Sequence, residues 1–240
     1  MVIILNENIC AISTSLGVGA ISIVRCSGPE VISIANKIFK GKNLENVKTH
    51  TIHYGYIVDK DDIVDEVLVS VMRAPKTFTR EDVVEINCHG GISTTNKVLE
   101  LLIKAGCRLA TPGEFTKKAF LNGRIDLTEA EGIQELISSE GEASRKYAMN
   151  KVEGNLSKII KNIRERIVNL SAELEVNYDY PEEADNPEVT YSSLETELKE
   201  IKNNLDNLLM NSESINDVKN GIDEFTRKIE LGQADGYFWN

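Results

Sequence analysis

Residues 78–91 read FTREDVVEINCHGG and combine a polar loop, an alternating strand and a pair of glycines. Along the predicted strand, Val84, Ile86 and Cys88 point to one face of a sheet. Glu85 points to the other face. A carboxylate among apolar neighbours costs free energy unless it is paired with another group. The segment therefore predicts a half-buried strand whose polar face pairs with another group, and a ligand is one candidate for that group.

Short strands and short helices alternate over the first 125 residues, which predicts an α+β domain. Proline suits the first position of a helix, glycine suits the position after its end, and serine caps its first turn. The predicted elements are a strand at 21–25, a helix with Pro29 in its first position, a hairpin of 51–58 and 64–72, and a helix capped by Ser93 and ended by Gly106. The first helix is predicted to bury Val31, Ile34, Ala35 and Ile38.

The pattern becomes helical from Asp126 onward. Thr128 and Glu131 match a capping box, which predicts a helix start at this point. Apolar residues then recur every three or four positions in two stripes, so we expect two long antiparallel helices separated by a break around Pro181 and Pro187. The stripes consist of Val152, Leu156, Ile159, Ile163, Ile167, Leu170 and Leu174, and of Leu194, Leu198, Ile201, Leu205 and Leu208.

Three segments carry a family resemblance. They are residues 17–25 (GVGAISIVR), residues 78–91, and residues 112–127 (PGEFTKKAFLNGRIDL). In this order they resemble the amino-terminal part of the MnmE family, also called TrmE, which consists of bacterial tRNA-modification GTPases. The resemblance covers residues 2–210 of the chain. Three long motifs in the right order are far more specific than any single glycine pattern.

The resemblance implies three parts. Residues 1–125 would be a folate-binding and dimerisation domain with an aminomethyltransferase-like α+β fold. Residues 126–221 would be a partial all-α helical domain, which family members complete with segments far downstream. Residues 222–240 do not match the family pattern, and the chain has no phosphate-binding loop ending in Gly-Lys-Ser/Thr. We therefore expect a chain truncated before the GTPase domain that hydrolyses no GTP by itself.

The ligand that the resemblance implies is a one-carbon derivative of tetrahydrofolate, either 5-formyl or methylene. It assigns the folate contacts to Arg25, Glu85 and Arg124, the last at a position that is Lys in some relatives. A carboxylate can accept two parallel hydrogen bonds from a pterin edge, and arginine suits the anionic tail. Each residue also has a structural interpretation: Glu85 on a solvated strand face, Arg25 as an exposed cation, and Arg124 as a cap on the carbonyls of the preceding helix.

His89, which is followed by Gly90 and Gly91, has a catalytic and a structural interpretation. Histidine is the usual acid or base near neutral pH, and glycines let a ligand approach the backbone. No nucleophile-and-carboxylate set accompanies it in the sequence, so a structural role in a tight turn is favoured and no catalytic residue is predicted. His50 and His53 are separate from His89 in sequence, so no metal site is predicted either.

Charge is unevenly distributed along the chain, whose net charge is −11. Residues 1–120 hold 14 Lys and Arg against 13 Asp and Glu, whereas residues 121–240 hold 13 against 25. The acidic second half alone is therefore a poor partner for nucleic acid. No segment resembles a signal peptide or the roughly 20 apolar residues of a membrane helix, and the expected location is the cytoplasm without membrane contact. Reduced, buried thiols are predicted for Cys10, Cys26, Cys88 and Cys107.

Two interpretations of function follow from the resemblance. In the first, the chain is the tetrahydrofolate-binding part of a homodimeric enzyme that modifies C5 of the wobble uridine (U34) of tRNA with the flavoprotein MnmG (GidA). GTP, potassium and magnesium would then belong only to the full-length family. In the second, it is a non-catalytic dimeric scaffold with an unused folate pocket. An aminomethyltransferase-like enzyme acting alone is disfavoured by the helical tail and by the lack of an obvious catalytic acid.

Overall fold

A seven-stranded mixed sheet forms the centre of the first of two compact units, which comprise residues 1–130 and residues 131–240. The computed structural model describes residues 7–179 and 192–210. The order across the sheet is β3-β4-β5-β6-β2-β1-β7, with antiparallel neighbours except for the parallel pair at the β7 edge. The strands are β1 (Ile9–Ile12), β2 (Ile21–Ser27), β3 (Phe39–Gly41), β4 (Thr51–Asp59), β5 (Asp62–Met72), β6 (Val83–His89) and β7 (Arg108–Leu109).

The alternating segment forms β6, which lies between β5 and β2. Val84, Ile86 and Cys88 are buried, whereas Glu85 is only partly covered. The buried side chains belong to one core cluster with residues of helices α1 (Val31–Ile38) and α2 (Ile92–Ala105). The predicted alternation is thus confirmed, and the face of β6 that carries Glu85 is the one opposite this core.

Two helix starts differ from the prediction. α1 begins at Val31, so Pro29 lies in the turn before the helix and not in its first position. α2 begins at Ile92 with Gly91 as its N-cap residue, so Ser93 lies inside the first turn. Both predictions relied on the preference of a single residue. Such preferences locate a helix end only to within one or two positions.

The other elements predicted for this unit are confirmed. β4 and β5 form the antiparallel hairpin. Gly106 follows the end of α2 with a φ of +129°, in the region that favours glycine. The buried residues of α1 include Val31, Ile34, Ala35 and Ile38. A further helix, α3 (Glu114–Leu121), follows β7.

All regular secondary structure in the described residues of the second unit is helical. The helices are α4 (Leu127–Ile137), which starts just before the unit boundary, α5 (Glu142–Val152), α6 (Asn155–Asp179) and α7, residues 192–210. An α+β domain followed by an all-α region confirms the predicted fold class. No helix among residues 7–179 and 192–210 is long and apolar enough to cross a membrane.

Two local predictions for the helical region are wrong. The capping box at the start of α4 uses Asp126 and Glu129: each backbone N–H donates to the other carboxylate, at 2.7 and 3.0 Å. The predicted box of Thr128 and Glu131 lay two residues too late. The first apolar stripe is also divided, because α5 ends at Val152 before α6 begins. The predicted break around residues 181–187 lies outside the described residues.

Contacts between helices of this unit include one close packing and one ion pair among the described residues. Gly132 of α4 lies against α5, where a Cβ added to it would meet the Lys151 Cβ at 2.6 Å. Arg166 of α6 donates to Glu197 at 2.5 Å and to Glu200 at 2.9 Å, both on α7. Glu173, two turns further along α6, lines a hollow with residues at the start of α7, so the two helices are antiparallel as predicted.

Candidate functional site

The pairing of β2 with β6 brings Arg25 and Glu85 together, although they are 60 residues apart in sequence. They are directly opposed across the two strands, and Arg25 Nε donates to Glu85 Oε1 at 2.7 Å. The side chains are 34% and 22% exposed, respectively. The pair is therefore partly shielded by the sheet but accessible from the side opposite the core.

Both members of this pair keep unused hydrogen-bonding capacity. No described residue donates to Glu85 Oε2, and Arg25 uses one of its five N–H donors on the carboxylate. The Arg25 guanidinium also lies 5.9 Å from the centre of the Phe115 ring, on the first turn of α3. A cation near an aromatic ring face is stabilised by the ring quadrupole. The pair is thus held in place while open acceptor and donor groups remain.

Arg124 does not join this pair. Its guanidinium lies 4.7 Å from the centre of the Phe78 ring, and its Nη1 donates to the Phe78 carbonyl at 3.1 Å. The side chain therefore binds the loop before β6 and does not cap the carbonyls at the end of α3. Of the three residues predicted to contact folate, Arg25 and Glu85 lie together in the structure. Arg124 instead contacts Phe78, the first residue of the FTREDVVEINCHGG segment.

A buried ion pair anchors α3 to the same loop. Lys118 is 5% exposed, and its Nζ donates to both oxygens of Glu81, at 3.0 and 2.8 Å, and to the Glu7 carbonyl at 2.7 Å. Ser27 at the end of β2 also donates to Glu81, at 2.8 Å. This cluster fixes the helix that carries Phe115. The sequence contains no signal for it, since Lys118 and Glu81 are 37 residues apart.

A second pair lies at the end of β6. His89 Nδ1 is 2.6 Å from Asp65 Oδ1, and the His89 backbone N–H donates to Asp65 Oδ2 at 2.7 Å. The imidazole side chain is 71% exposed, whereas that of Asp65 is 10% exposed. The hydrogen bond to Asp65 raises the pKa of His89 above its usual value. The His89 imidazole is thus exposed to solvent, while the Asp65 carboxylate to which it is hydrogen-bonded is largely buried.

A hollow of about 280 Å³ lies on the sheet beside His89. Tyr54 and Tyr56 stand next to each other on β4 with their hydroxyls 2.9 Å apart, and this hydrogen bond raises the pKa of Tyr54 to about 12. The apolar residues Ile21, Ile52, Tyr54 and Leu68 are at least 47% exposed. The hollow is lined by Ala20, Ile21, Tyr54, Glu66, Val67, Leu68, Asn87, Cys88 and His89.

Two glycine loops meet where β2 begins and β6 ends. Gly19 N donates to the Gly90 carbonyl at 3.0 Å, and Gly90 N donates to the Ala20 carbonyl at 3.3 Å. A Cβ at Gly90 would lie 2.3 Å from the Gly19 carbonyl oxygen, which is closer than any side chain permits. Glycine is therefore required at position 90, because the backbone of Gly19 packs directly against it.

Two family models match the chain in succession. The model described as GTP-binding protein TrmE N-terminus matches residues 8–124, and the MnmE helical domain matches residues 127–236. The chain belongs to the MnmE family. The helical-domain match extends past residue 221, the boundary predicted from the sequence, into a segment that lies outside the described residues.

Several curated relatives carry the name tRNA modification GTPase MnmE. The Streptococcus thermophilus protein is 57% identical over 203 residues, covering 85% of this chain and 44% of the relative. The Ligilactobacillus salivarius protein is 53% identical over 218 residues, and the Bacillus subtilis protein is 52% identical over 221 residues. Both matches cover 90% of this chain, and they cover 47% and 48% of the relatives. The chain spans about half the length of the curated MnmE relatives it matches.

The thiols of this MnmE-family chain are free and buried, as predicted, at Cys10, Cys26, Cys88 and Cys107. Within residues 7–179 and 192–210, no three histidine, cysteine or acidic side chains are grouped so that they could hold a metal ion. His50 and His53 bond instead to neighbouring hydroxyl and carbonyl groups.

Proposed function

We propose that this chain is the tetrahydrofolate-binding and dimerisation part of a GTPase that modifies the wobble uridine of tRNA at C5. Family membership supports the tRNA-modification role, because relatives at 52–57% identity are named tRNA modification GTPases. We assign the one-carbon folate, 5-formyl or methylene, to Arg25, Glu85 and Arg124. MnmG, tRNA, GTP, potassium and magnesium enter the proposal only through the whole enzyme. The matched relatives are about twice as long as this chain.

The observation that carries the folate proposal is the Arg25–Glu85 pair on the open face of the sheet. Glu85 keeps Oε2 available, and a flat pterin edge offers the amide and amino donors that such a carboxylate accepts. Arg25 keeps four N–H donors for the anionic tail. The residues present therefore fit the ligand, which when bound would supply a one-carbon unit.

Arg124 lies apart from the Arg25–Glu85 pair and contacts Phe78. Only Nη1 of its guanidinium donates to a described group, the Phe78 carbonyl. The remaining donors leave it able to bind an anion without leaving the Phe78 ring. We assign it to the acidic part of the ligand on this ground and on the resemblance.

The second candidate function, a dimeric scaffold with an unused pocket, is favoured by one specific observation. Arg25 and Glu85 satisfy each other's charge at 2.7 Å without any ligand. Forming such a partly exposed ion pair is by itself a structural role that accounts for both residues without a ligand. The two candidates differ in whether replacing Glu85 affects ligand binding or only the unliganded protein.

Calorimetric titration with 5-formyl-tetrahydrofolate tests the proposal. We expect Glu85→Ala to weaken binding by about 1.5–3 kcal/mol, the range for hydrogen bonds to charged groups, which is roughly tenfold to a hundredfold. Glu100→Gln, a carboxylate exposed on α2, serves as the matched control and should bind as the wild type does.

Two results would contradict the folate assignment. Wild-type protein that is folded but binds no 5-formyl-tetrahydrofolate would favour the scaffold. A Glu85→Ala variant that binds normally but unfolds at a lower temperature without ligand would show that the carboxylate is structural.

A further inference from the structure

His89 is held by two hydrogen bonds from different parts of the residue to one carboxylate. Asp65 Oδ1 lies 2.6 Å from the ring Nδ1, and Asp65 Oδ2 accepts from the backbone N–H at 2.7 Å. This arrangement fixes the orientation of the ring and places the proton on Nδ1, as a carboxylate does for a histidine general base. No described residue hydrogen-bonds to Nε2, so the second ring nitrogen is open.

We propose that Asp65 and His89 form a proton-transfer pair, in which Nε2 of His89 exchanges a proton with an amine nitrogen of the bound folate beside its one-carbon unit. This inference rests on the proposed folate site and adds a catalytic residue to it. Asp65 is the positioning residue, because it contacts the imidazole and not the ligand.

Placement along β6 supports this role. Glu85, Asn87 and His89 alternate with the buried Val84, Ile86 and Cys88, so they share the open face of the strand. Four residues of strand separate Glu85 from His89 by about 13 Å. A ligand anchored at Glu85 that extends along β6 therefore reaches the hollow that His89 lines.

The hollow itself suits a flat, partly apolar ligand. Its walls include the Tyr54 ring and the Ile21 and Leu68 side chains. Its polar groups include the Asn87 side chain, whose amide nitrogen is engaged with the Leu68 carbonyl at 3.1 Å. The amide oxygen of Asn87 is left as an acceptor between the Glu85 and His89 positions. Apolar walls with a few placed polar groups are typical of small-molecule sites.

The charged groups that face the ring keep it protonated to a higher pH than a free histidine. Asp65 contributes most and Glu66 adds a smaller effect, both from β5. Tyr54, from β4, lines the same hollow, and the hydrogen bond to Tyr56 raises its pKa to about 12, so it adds no charge near the ring at physiological pH. An imidazolium with one hydrogen bond to Asp65 can donate the proton on Nε2 without losing its orientation.

The proton step is balanced within the pair and the ligand. The Nε2–H bond of the imidazolium breaks, its electron pair stays on Nε2, and a new N–H bond forms on the ligand nitrogen. One positive charge moves from His89 to the ligand, and no proton moves to or from Asp65. The reverse transfer restores the imidazolium, and the step consumes no oxidant or reductant.

Nitrogen-15 NMR of the imidazole rings tests the pair without any ligand. The chain has three histidines, so His50→Gln and His53→Gln variants assign the spectrum. We expect His89 to keep a proton on Nδ1 across the titration, to titrate at Nε2, and to have a higher pKa than His53, whose pKa is lowered by burial. Asp65→Asn should lower the pKa of His89 and leave His53 unchanged. A His89 that titrates identically in both proteins would overturn the pair.

Chemical protection tests the contact with folate. Diethyl pyrocarbonate acylates open imidazole nitrogens, and we expect 5-formyl-tetrahydrofolate at ten times its Kd to slow the reaction of His89 about elevenfold by mass action. His53, on β4, is the internal control and should react at an unchanged rate.

The outcomes separate this inference from the proposed function. If calorimetry detects binding that depends on Glu85 but His89 is not protected, the proton-transfer role is overturned and the folate site stands. If no 5-formyl-tetrahydrofolate binds to folded protein, the folate site is overturned and the proposed ligand of His89 with it. Protection of His89 that is lost in Glu85→Ala would support both.

Discussion

Glu114 illustrates how much of one residue's role depends on its contacts. It stands in the first turn of α3, where Arg108 donates to Oε1 at 2.6 Å and the Thr111 backbone donates to Oε2 at 2.7 Å. The hydrogen bond from Arg108 lowers the pKa of Glu114 from 4.5 to about 2. A carboxylate at the start of a helix is further favoured by the helix dipole.

Glu114→Gln should therefore destabilise the protein in a pH-dependent way. Because the pKa is lower in the folded state, the contribution is complete above about pH 4.5 and is lost as the pH falls towards 2. At pH 7 we expect a loss of about 1–2 kcal/mol, the low end of the range because Arg108 is partly solvated. Urea unfolding at several pH values measures this. Between pH 4.5 and 2, the free energy of unfolding should change less steeply with pH in Glu114→Gln than in wild type or in the exposed-site control Glu45→Gln. Equal slopes in the three proteins would refute the assignment.

At the scale of elements, α3 is anchored by charge more than by apolar packing. Its buried residues are Lys118 and Ala119, and Lys118 is bound to Glu81. The helix in turn carries Phe115 against Arg25. The position of the candidate ligand-binding pair thus depends on an ion pair that does not touch it.

Lys118→Met should lower the free energy of unfolding by about 3–5 kcal/mol, because it leaves the covered Glu81 carboxylate without its cation. Lys117→Met, at the exposed neighbouring position, should have little effect. The double variant Lys118→Met/Glu81→Leu should regain part of the loss, since both charged partners are then removed. Thermal unfolding of the four proteins provides the measurement, and a double variant less stable than Lys118→Met would contradict this account.

At the scale of the whole molecule, two apolar surfaces are uncovered in the described parts of the chain. One is the sheet face with Ile21, Ile52, Tyr54 and Leu68; the other is on the helices, where Ile159, Ile167, Leu174 and Leu198 are each at least 43% exposed. Contiguous exposed apolar area marks interaction surfaces. For the part of the sheet face around Ile52, which is not among the residues that line the hollow beside His89, the proposed occupant is a second copy of the chain.

Ile52→Glu should weaken the proposed dimer by about 1–3 kcal/mol, which is roughly tenfold to a hundredfold in Kd. Ile63→Glu, a comparably exposed position near the turn between β4 and β5, is the matched control. Light scattering across micromolar concentrations measures the effect. A wild-type chain that remains monomeric at these concentrations would remove the dimerisation part of the proposed function.

Prediction from sequence succeeded where the signal was local and periodic. The alternation of β6 and the stripe of α1 identified which faces are buried, because a strand repeats every two residues and a helix every 3.6. It was less accurate at boundaries. Asp126 and not Thr128 caps α4, and α5 ends at Val152 within a stripe that had predicted one continuous helix.

The sequence by itself determined the fold class, the family, and the face of β6 on which Glu85 lies. Only the tertiary structure decided that Glu85 meets Arg25, that Arg124 binds Phe78, and that Asp65 holds His89. These partners are separated by 60, 46 and 24 residues. Periodicity specifies which way a side chain points, whereas strand register and loop path, set by packing of the entire sheet, specify what it meets.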